Sequence, residues 1–303
     1  MLSRRTFLTG ASATAAGLFL RPRLALASLG GRANFTPIRA GVGTFQARGG
    51  TIGYLITGDA VAVVDTQYPD TAAECRNGLG ERSGRTVDFV INTHHHGDHT
   101  AGNAVLSADA GMLVAHAESA RLQRASAESR GNSAEQAFPT STYEETLALD
   151  VGGRRISLTH FGPAHTGGDS VVYFEDADVV HMGDLVFNRM PPFIDKAGGA
   201  SIEGWIGLLE TVHGHYSDDT VFIHGHAGPN YTAVGTREDL LVMRDFLSGL
   251  LDYVQTGLAS GTSLEELTAV DRLPDFPEHY LESWENAIPN AIRAAHQELT
   301  STD

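Results

Sequence analysis

The stretch "VINTHHHGDHTAGN", residues 90–103, places four histidines and an aspartate in the six positions from His94 to His99, directly behind an apolar run. That run, "TVDFVINTH" (residues 86–94), is almost continuous in apolar residues, the pattern of a strand covered on both faces. The histidine cluster therefore begins where a buried strand ends. His94 and His96 are two residues apart, so at an extended strand end they point to the same side. Past Gly97 the chain can turn and aim Asp98 and His99 at a neighbouring ion. Zinc takes about four imidazole, carboxylate or thiolate ligands, and a catalytic zinc keeps one position for water. One short loop has the residues to serve two metals.

Upstream, "GTFQARGG", "TIGYLITGD" and "AVAVVDTQ" read as short strands separated by glycine and aspartate turns, followed by a helix over 70–83. Downstream, helices are expected over 100–108 and 117–130 around the strand "GMLVAH", and a polar stretch from Ser129 to Tyr143 breaks the pattern. Strands return with "TLALDVGG", "RRISLTHFG", "DSVVYFED" and "ADVVHMGDLVF", then a helix near Ile202–His213 and the strand "TVFIHGHAG". The same plan occurs twice, which suggests two packed halves, each with a sheet and outer helices. Three further residues share the context of the first cluster. His165 lies in "GPAHTGGDS", Asp184 at the end of "DVVHMG" and His226 in "FIHGHAGP", each beside glycine where the backbone can pass close to a ligand cluster.

With these residues in place, the ordered set His94-x-His96-x-Asp98-His99, His165, Asp184 and His226 resembles the metallo-β-lactamase superfamily of binuclear hydrolases over about residues 40–235. The resemblance implies an α/β fold, an αββα four-layer sandwich with the metals at one edge. It further implies two Zn2+ per chain: His94, His96 and His165 on the first, Asp98, His99 and His226 on the second, and Asp184 bridging. Two such ions lower the pKa of a shared water toward about 7 and polarise a substrate carbonyl. Asp98 would also orient the nucleophile or pass its proton to the leaving group. His95 is expected to point away, and His116 and His224 are candidates for supporting contacts. The remaining histidines read as ordinary core or surface residues.

The chain of 303 residues is 42% hydrophobic, enough for one large core or two modest ones, and its formal charge is −16. Such a surface repels nucleic acid and anionic lipid, so the expected partner is a small-molecule substrate. Residues 1–27 carry Arg4-Arg5, a short weakly apolar segment and Ala25-Leu26-Ala27, the parts of a twin-arginine export signal with cleavage before Ser28. Its removal takes four arginines and no acids, leaving −20. A periplasmic protein exported in the folded state is expected. The single Cys75 permits no intramolecular disulfide and reads as a small buried hydrophobe.

Residues 28–235 are thus read as the catalytic domain, and 236–303 as a helical extension packed on it. The extension begins with an N-cap at Thr236, continues with a capping box at Ser263–Glu266, and ends in a helix interrupted by Pro289. For the substrate, export favours a β-lactam, since cell-wall-directed lactams are met outside the cytoplasm; a lactone or other ester is the alternative. Aspartate at 184, where two lactamase subclasses place a cysteine, is the rule in the wider superfamily, and the helical tail resembles a group of exported members, some linked to sulfur-oxidation or quinoprotein pathways, which raises an accessory metalloprotein role. The segment 188–205 would overhang the metals, with Met190, Phe193 and Trp205 as an apolar wall and Arg189 or Lys196 meeting a carboxylate. Ser129–Tyr143, with Phe138 and Tyr143, is a second candidate lid.

Overall fold

Side chains alternate along a strand, and here the alternation builds two separate cores. In the strand Val61–Val64, Ala62 and Val64 face one apolar cluster while Val61 and Val63 face another. The computed structural model describes residues 34–301; the expected export segment, residues 1–27, and Ser28 lie outside the described residues.

The first sheet runs in the order β1 (Phe35–Arg39), β2 (Val42–Phe45), β3 (Ile52–Ile56), β4 (Val61–Val64), β5 (Phe89–Ile91), β6 (Met112–His116) and β7 (Ser141–Tyr143). It is antiparallel from β1 to β4 and parallel from β4 to β7. The second sheet comprises β8 (Thr146–Asp150), β9 (Arg155–Thr159), β10 (Val171–Phe174), β11 (Val179–Asn188), β12 (Val221–Ala227) and β13 (Val234–Gly235) in sequential spatial order. There only β11 and β12 run parallel.

Val64, Ile91 and Val114 of the first sheet meet Ile156, Leu158, Val172 and Ile223 of the second across a shared core. The outer face of the first sheet is covered by α1 (Pro69–Ser83), whose Cys75 and Leu79 pack with Ile52, Val63 and Val90. Burial pushes the Cys75 thiol up, so it stays a neutral core group. On the second sheet, α5 (Ile202–His215), α6 (Glu238–Ala259) and α8 (Ala287–Thr300) share one core with Val180 and Met182 of β11. The layers are αββα, and the helices after residue 236 cover the second sheet. Among the described residues, no helix is long and apolar enough to cross a membrane.

Several local expectations are corrected. The helix expected over 100–108 is two short ones, α2 (Gly97–Thr100) and α3 (Asn103–Leu106), and the first begins inside the histidine loop. The remaining helices are α4 (Ala117–Arg130) and α7 (Leu264–Leu267), the latter with the capping box between Ser263 and Glu266. Helix α6 starts after Arg237 and not on a Thr236 cap, because the Asp239 carboxylate accepts from the Thr236 amide instead. Pro289 does not interrupt α8: it sits in the first turn, where no intrahelical partner awaits its missing N–H. Tyr143 belongs to the core, its hydroxyl bonded to Ser170, and lines no lid.

Candidate metal centre

The loops after the parallel strands β4, β5 and β6 emerge at one sheet edge, and the loops and irregular strands of the second sheet meet them there. All seven expected ligands come together in two adjoining groups, His94, His96, His165 and Asp184, and Asp98, His99 and His226. Asp184 is not at a strand end. It lies within β11, where the register against β12 shifts around Gly183 and releases the side chain from the regular ladder. Gly225 packs its α-carbon against the Asp184 carboxylate, and Gly50 packs against the His99 ring; a Cβ at either position would overlap the ligand.

The hydrogen-bond network fixes which imidazole nitrogen faces inward. Thr93 Oγ1 donates to the Asp65 carboxylate at 2.7 Å, since a carboxylate can only accept. Its lone pair then accepts from His94 Nδ1–H at 3.0 Å, leaving His94 Nε2 bare. Likewise His99 Nδ1–H donates to Asp65 at 2.8 Å, and His96 Nε2–H donates to Asp195 at 3.0 Å. His94 Nε2 and His96 Nδ1 thus stand 3.1 Å apart as lone pairs aimed at one another, with His165 Nε2 3.0 Å from His96 Nδ1. A cation resolves that repulsion.

The separations agree with such an occupant. With Asp184 Oδ2 at 3.7–3.8 Å from His165 and His94, the first group spans 3.0–3.8 Å. A tetrahedral zinc with bonds of about 2.0–2.1 Å has ligand edges of about 3.3 Å. In the second group His226 Nε2 is 3.1 Å from Asp98 Oδ2 and 3.3 Å from His99 Nε2, with Asp184 Oδ1 at 3.0 Å from His99 and 3.4 Å from His226. Each oxygen of Asp184 thus belongs to a different group. The buried Oδ1 has no hydrogen bond of good geometry. A donor set of imidazole and carboxylate with no thiolate suits zinc and other borderline divalent ions.

Charge is divided unequally between the groups. Burial, then the neighbouring His99, pushes His94 well below the usual histidine range, and burial with His96 lowers His165 to about 3, so both are neutral and ready to ligate. For His226 burial acts against the charge, but Asp184 and Asp98 outweigh it and raise the imidazole to about 9. His99 is raised well above its usual value in the same way, by Asp184, Asp98 and Asp65. Asp98 is lowered to about 2 because His99 and His226 overcome its burial.

The sign of a pH effect follows. Without metal, His226 keeps its proton at every pH below about 9, so a metal entering the second group must displace protons and binds more weakly as pH falls. Zinc titrated into chelator-stripped protein at pH 7, in buffers of different ionisation heat, is expected to release on the order of two protons from the second group. Heats independent of the buffer would contradict this charge assignment.

Other expected residues fall elsewhere. Phe193 is 43% exposed and sets its ring edge-on to His96 at 5.3 Å. Trp205 is fully buried, its indole N–H donating to Leu185 O and its ring packed edge-on to His165, so it supports a ligand from behind and cannot form a substrate wall. Met190 is half-buried against the helical core. Arg189 is paired with Asp239 at 2.7 Å and Lys196 with Glu298 at 2.8 Å, so neither is free to meet a substrate carboxylate. His95 turns to Asp195 at 3.3 Å, and His116 bonds Glu144 O and caps α4. His224 is buried beside the ligand strand, 3.8 Å from Asp239. Sequence reasoning missed Asp65 and Asp195. Asp65 had a signal, a charge closing the apolar run "AVAVV"; Asp195, in "FIDKAGG", had none.

An αββα sandwich whose edge gathers two His/Asp groups around one shared carboxylate defines a class of metal-binding protein. The chain belongs to the metallo-beta-lactamase superfamily, whose family model matches residues 47–226, a span that contains all seven expected ligands. It is 32% identical over 148 residues to the 2,4-dinitroanisole O-demethylase subunit alpha of Nocardioides sp. (strain JS1661), covering 46% of this chain and 44% of that one. It is 31% identical over 128 residues to the hydroxyacylglutathione hydrolase of Methylococcus capsulatus, covering 42% and 43%. The matched region spans less than half the length of these curated relatives. In fold it resembles the metallo-beta-lactamase from Pontibacter korlensis, with a TM-score of 0.60 at 19% identity over 71% of this chain and 98% of that one.

Proposed function

We propose that the chain is a two-zinc hydrolase of activated acyl bonds: thioesters, esters and lactones, with β-lactams as the strained amide member of the set. The observation that carries this reading is Asp184, one oxygen facing each ligand group. His94, His96 and His165 would hold one ion, Asp98, His99 and His226 the other, and Asp184 both. When bound, the metals make water acidic near neutral pH and polarise a carbonyl oxygen.

The chain's own residues do the rest. Asp98 is the most open ligand carboxylate, 27% exposed against 4% for Asp184, and it remains anionic across the working pH range. It therefore holds the nucleophile by a hydrogen bond and takes its proton for the leaving group. Phe161, Phe193 and Tyr231 are the large hydrophobic side chains left exposed among the described residues, and Phe193 sets its ring against the candidate ligand His96. Phe193 would meet the hydrocarbon part of a substrate and shed water from the reacting bond. The similarity to a hydroxyacylglutathione hydrolase supports an acyl substrate, whereas the similarity to an O-demethylase subunit does not bear on acyl bonds. The Arg4-Arg5 and Ala25-Leu26-Ala27 pattern supports export of the folded chain to the periplasm.

The test is a zinc titration of chelator-stripped protein against a thioester, an aryl ester, a lactone and a chromogenic cephalosporin. Turnover of at least one is expected to rise with occupancy and level off near two zinc per chain. Two bound zinc ions with no turnover of any acyl substrate would overturn the reading and favour an accessory metalloprotein.

A further inference from the structure

A cavity of about 110 Å³ lies between the histidine loop and the end of α4. Its lining includes Tyr68, His95, Gly97, Arg130, Asn132 and Gln136, and no aspartate or glutamate. In a chain with 37 acids and 21 basic residues, an acid-free recess beside a metal centre is a local reversal of charge. Arg130, the last residue of α4, supplies it. Arg121 of the same helix is paired with Glu118, whereas Arg130 has no carboxylate within ion-pair distance among the described residues. Its guanidinium reaches over Gly97, between the ligands His96 and Asp98: a Cβ built there would rest 3.5 Å from Nη1. Two atoms of the lining residues, His95 Nδ1 and Asn132 Oδ1, are buried without a hydrogen-bond partner among the described residues. Unpaired buried polar atoms are costly unless a ligand or water completes them.

We propose that this cavity binds the carboxylate of an acid-bearing substrate, with Arg130 as the specificity-determining residue. The proposal rests on the hydrolase reading above for what happens next to the bound acid. One planar guanidinium matches one carboxylate through two parallel N–H···O bonds, and a dianion would call for more cations than the cavity offers. The amide of Gln136 and the hydroxyl of Tyr68 add neutral donors. The scissile bond then lies on the metal side of Gly97.

The test reads binding and not turnover, so a chain that hydrolyses nothing still answers it. Calorimetric titration of the zinc-loaded chain compares N-acetylglycine with N-acetylglycinamide, which differ only in the acid. At least a tenfold preference for the acid is expected in the wild type. It should vanish in Arg130→Ala, an exposed position whose truncation leaves the fold intact, and survive in part in Arg130→Lys. Equal binding of the two probes, or of neither, overturns the proposal. So does a preference that persists in Arg130→Ala, which would assign the carboxylate to the metals.

Discussion

Asp184→Asn is expected to lower zinc content from two to one or fewer per chain and to reduce kcat/KM by on the order of 10³-fold, since several kcal/mol of transition-state stabilisation come from the metals and each tenfold is about 1.4 kcal/mol. The substitution changes no shape. It removes the charge whose two oxygens stand at 3.7–3.8 Å from His94 and His165 and at 3.0–3.4 Å from His99 and His226. Both groups lose a direct ligand at once, because Asp184 is the one candidate ligand with an oxygen facing each group. A second readout separates this from general damage. Asp184 is foremost among the charges that raise His99 and His226, so in the variant these imidazoles lose protons at lower pH and zinc uptake at pH 7 releases fewer of them. Two tightly bound zinc ions with near-normal turnover would show that Asp184 does not join the groups.

How far the sequence discloses the centre depends on how local each signal is. The cluster His94–His99 is legible because its ligands are packed into six positions behind one buried strand, and period-two spacing assigns His94 and His96 to one side. The four layers follow from alternating strands and helical stretches, because binary pattern decides which faces are buried. Trp205 misleads for a physical reason. Its place in the chain, after the overhanging loop, suggests a substrate wall, but it falls on the buried face of α5, where only three-dimensional packing selects its neighbour. The unpaired guanidinium of Arg130 is illegible in the same way. Arg189 and Lys196 look available in one dimension, yet Asp239 and Glu298, far along the chain, neutralise them, and Arg130 from an unremarked helix end is left unpaired. The residues that hold ligands by hydrogen bonds are the least visible, since Asp65 lies 34 positions from His99 and Asp195 lies 99 from His96.

Asp65→Asn is expected to weaken zinc binding at both groups, by about 10–100-fold at each, while Asp65→Ala is milder for the metals and worse for the fold. The order is unusual, because asparagine is the conservative choice. Asp65 is fully buried with φ of 66°, a left-handed conformation that Asp and Asn tolerate better than alanine. Its Oδ1 accepts from the Thr93 amide at 2.8 Å, and asparagine can keep that bond with its own Oδ1. The other oxygen accepts from both Thr93 Oγ1 and His99 Nδ1, and in the variant an NH2 stands there. An N–H aimed at His99 Nδ1 turns that nitrogen into the acceptor and moves the ring proton to Nε2, the atom that faces the second group. The Thr93 hydroxyl, no longer able to donate to position 65, turns its hydrogen to His94 Nδ1, and the proton of that ring moves to Nε2 in the first group. One oxygen exchanged for NH2 therefore puts a hydrogen on a ligand atom in each group. Alanine imposes no tautomer, so the rings keep metal-facing lone pairs, but it leaves the buried Thr93 amide unsatisfied at a cost of about 1–3 kcal/mol. Chelator competition for zinc affinity and thermal melting of the metal-free chain should thus rank the two variants in opposite orders. Asp65→Asn binding zinc as tightly as the wild type would show that Asp65 does not set the tautomers of His94 and His99.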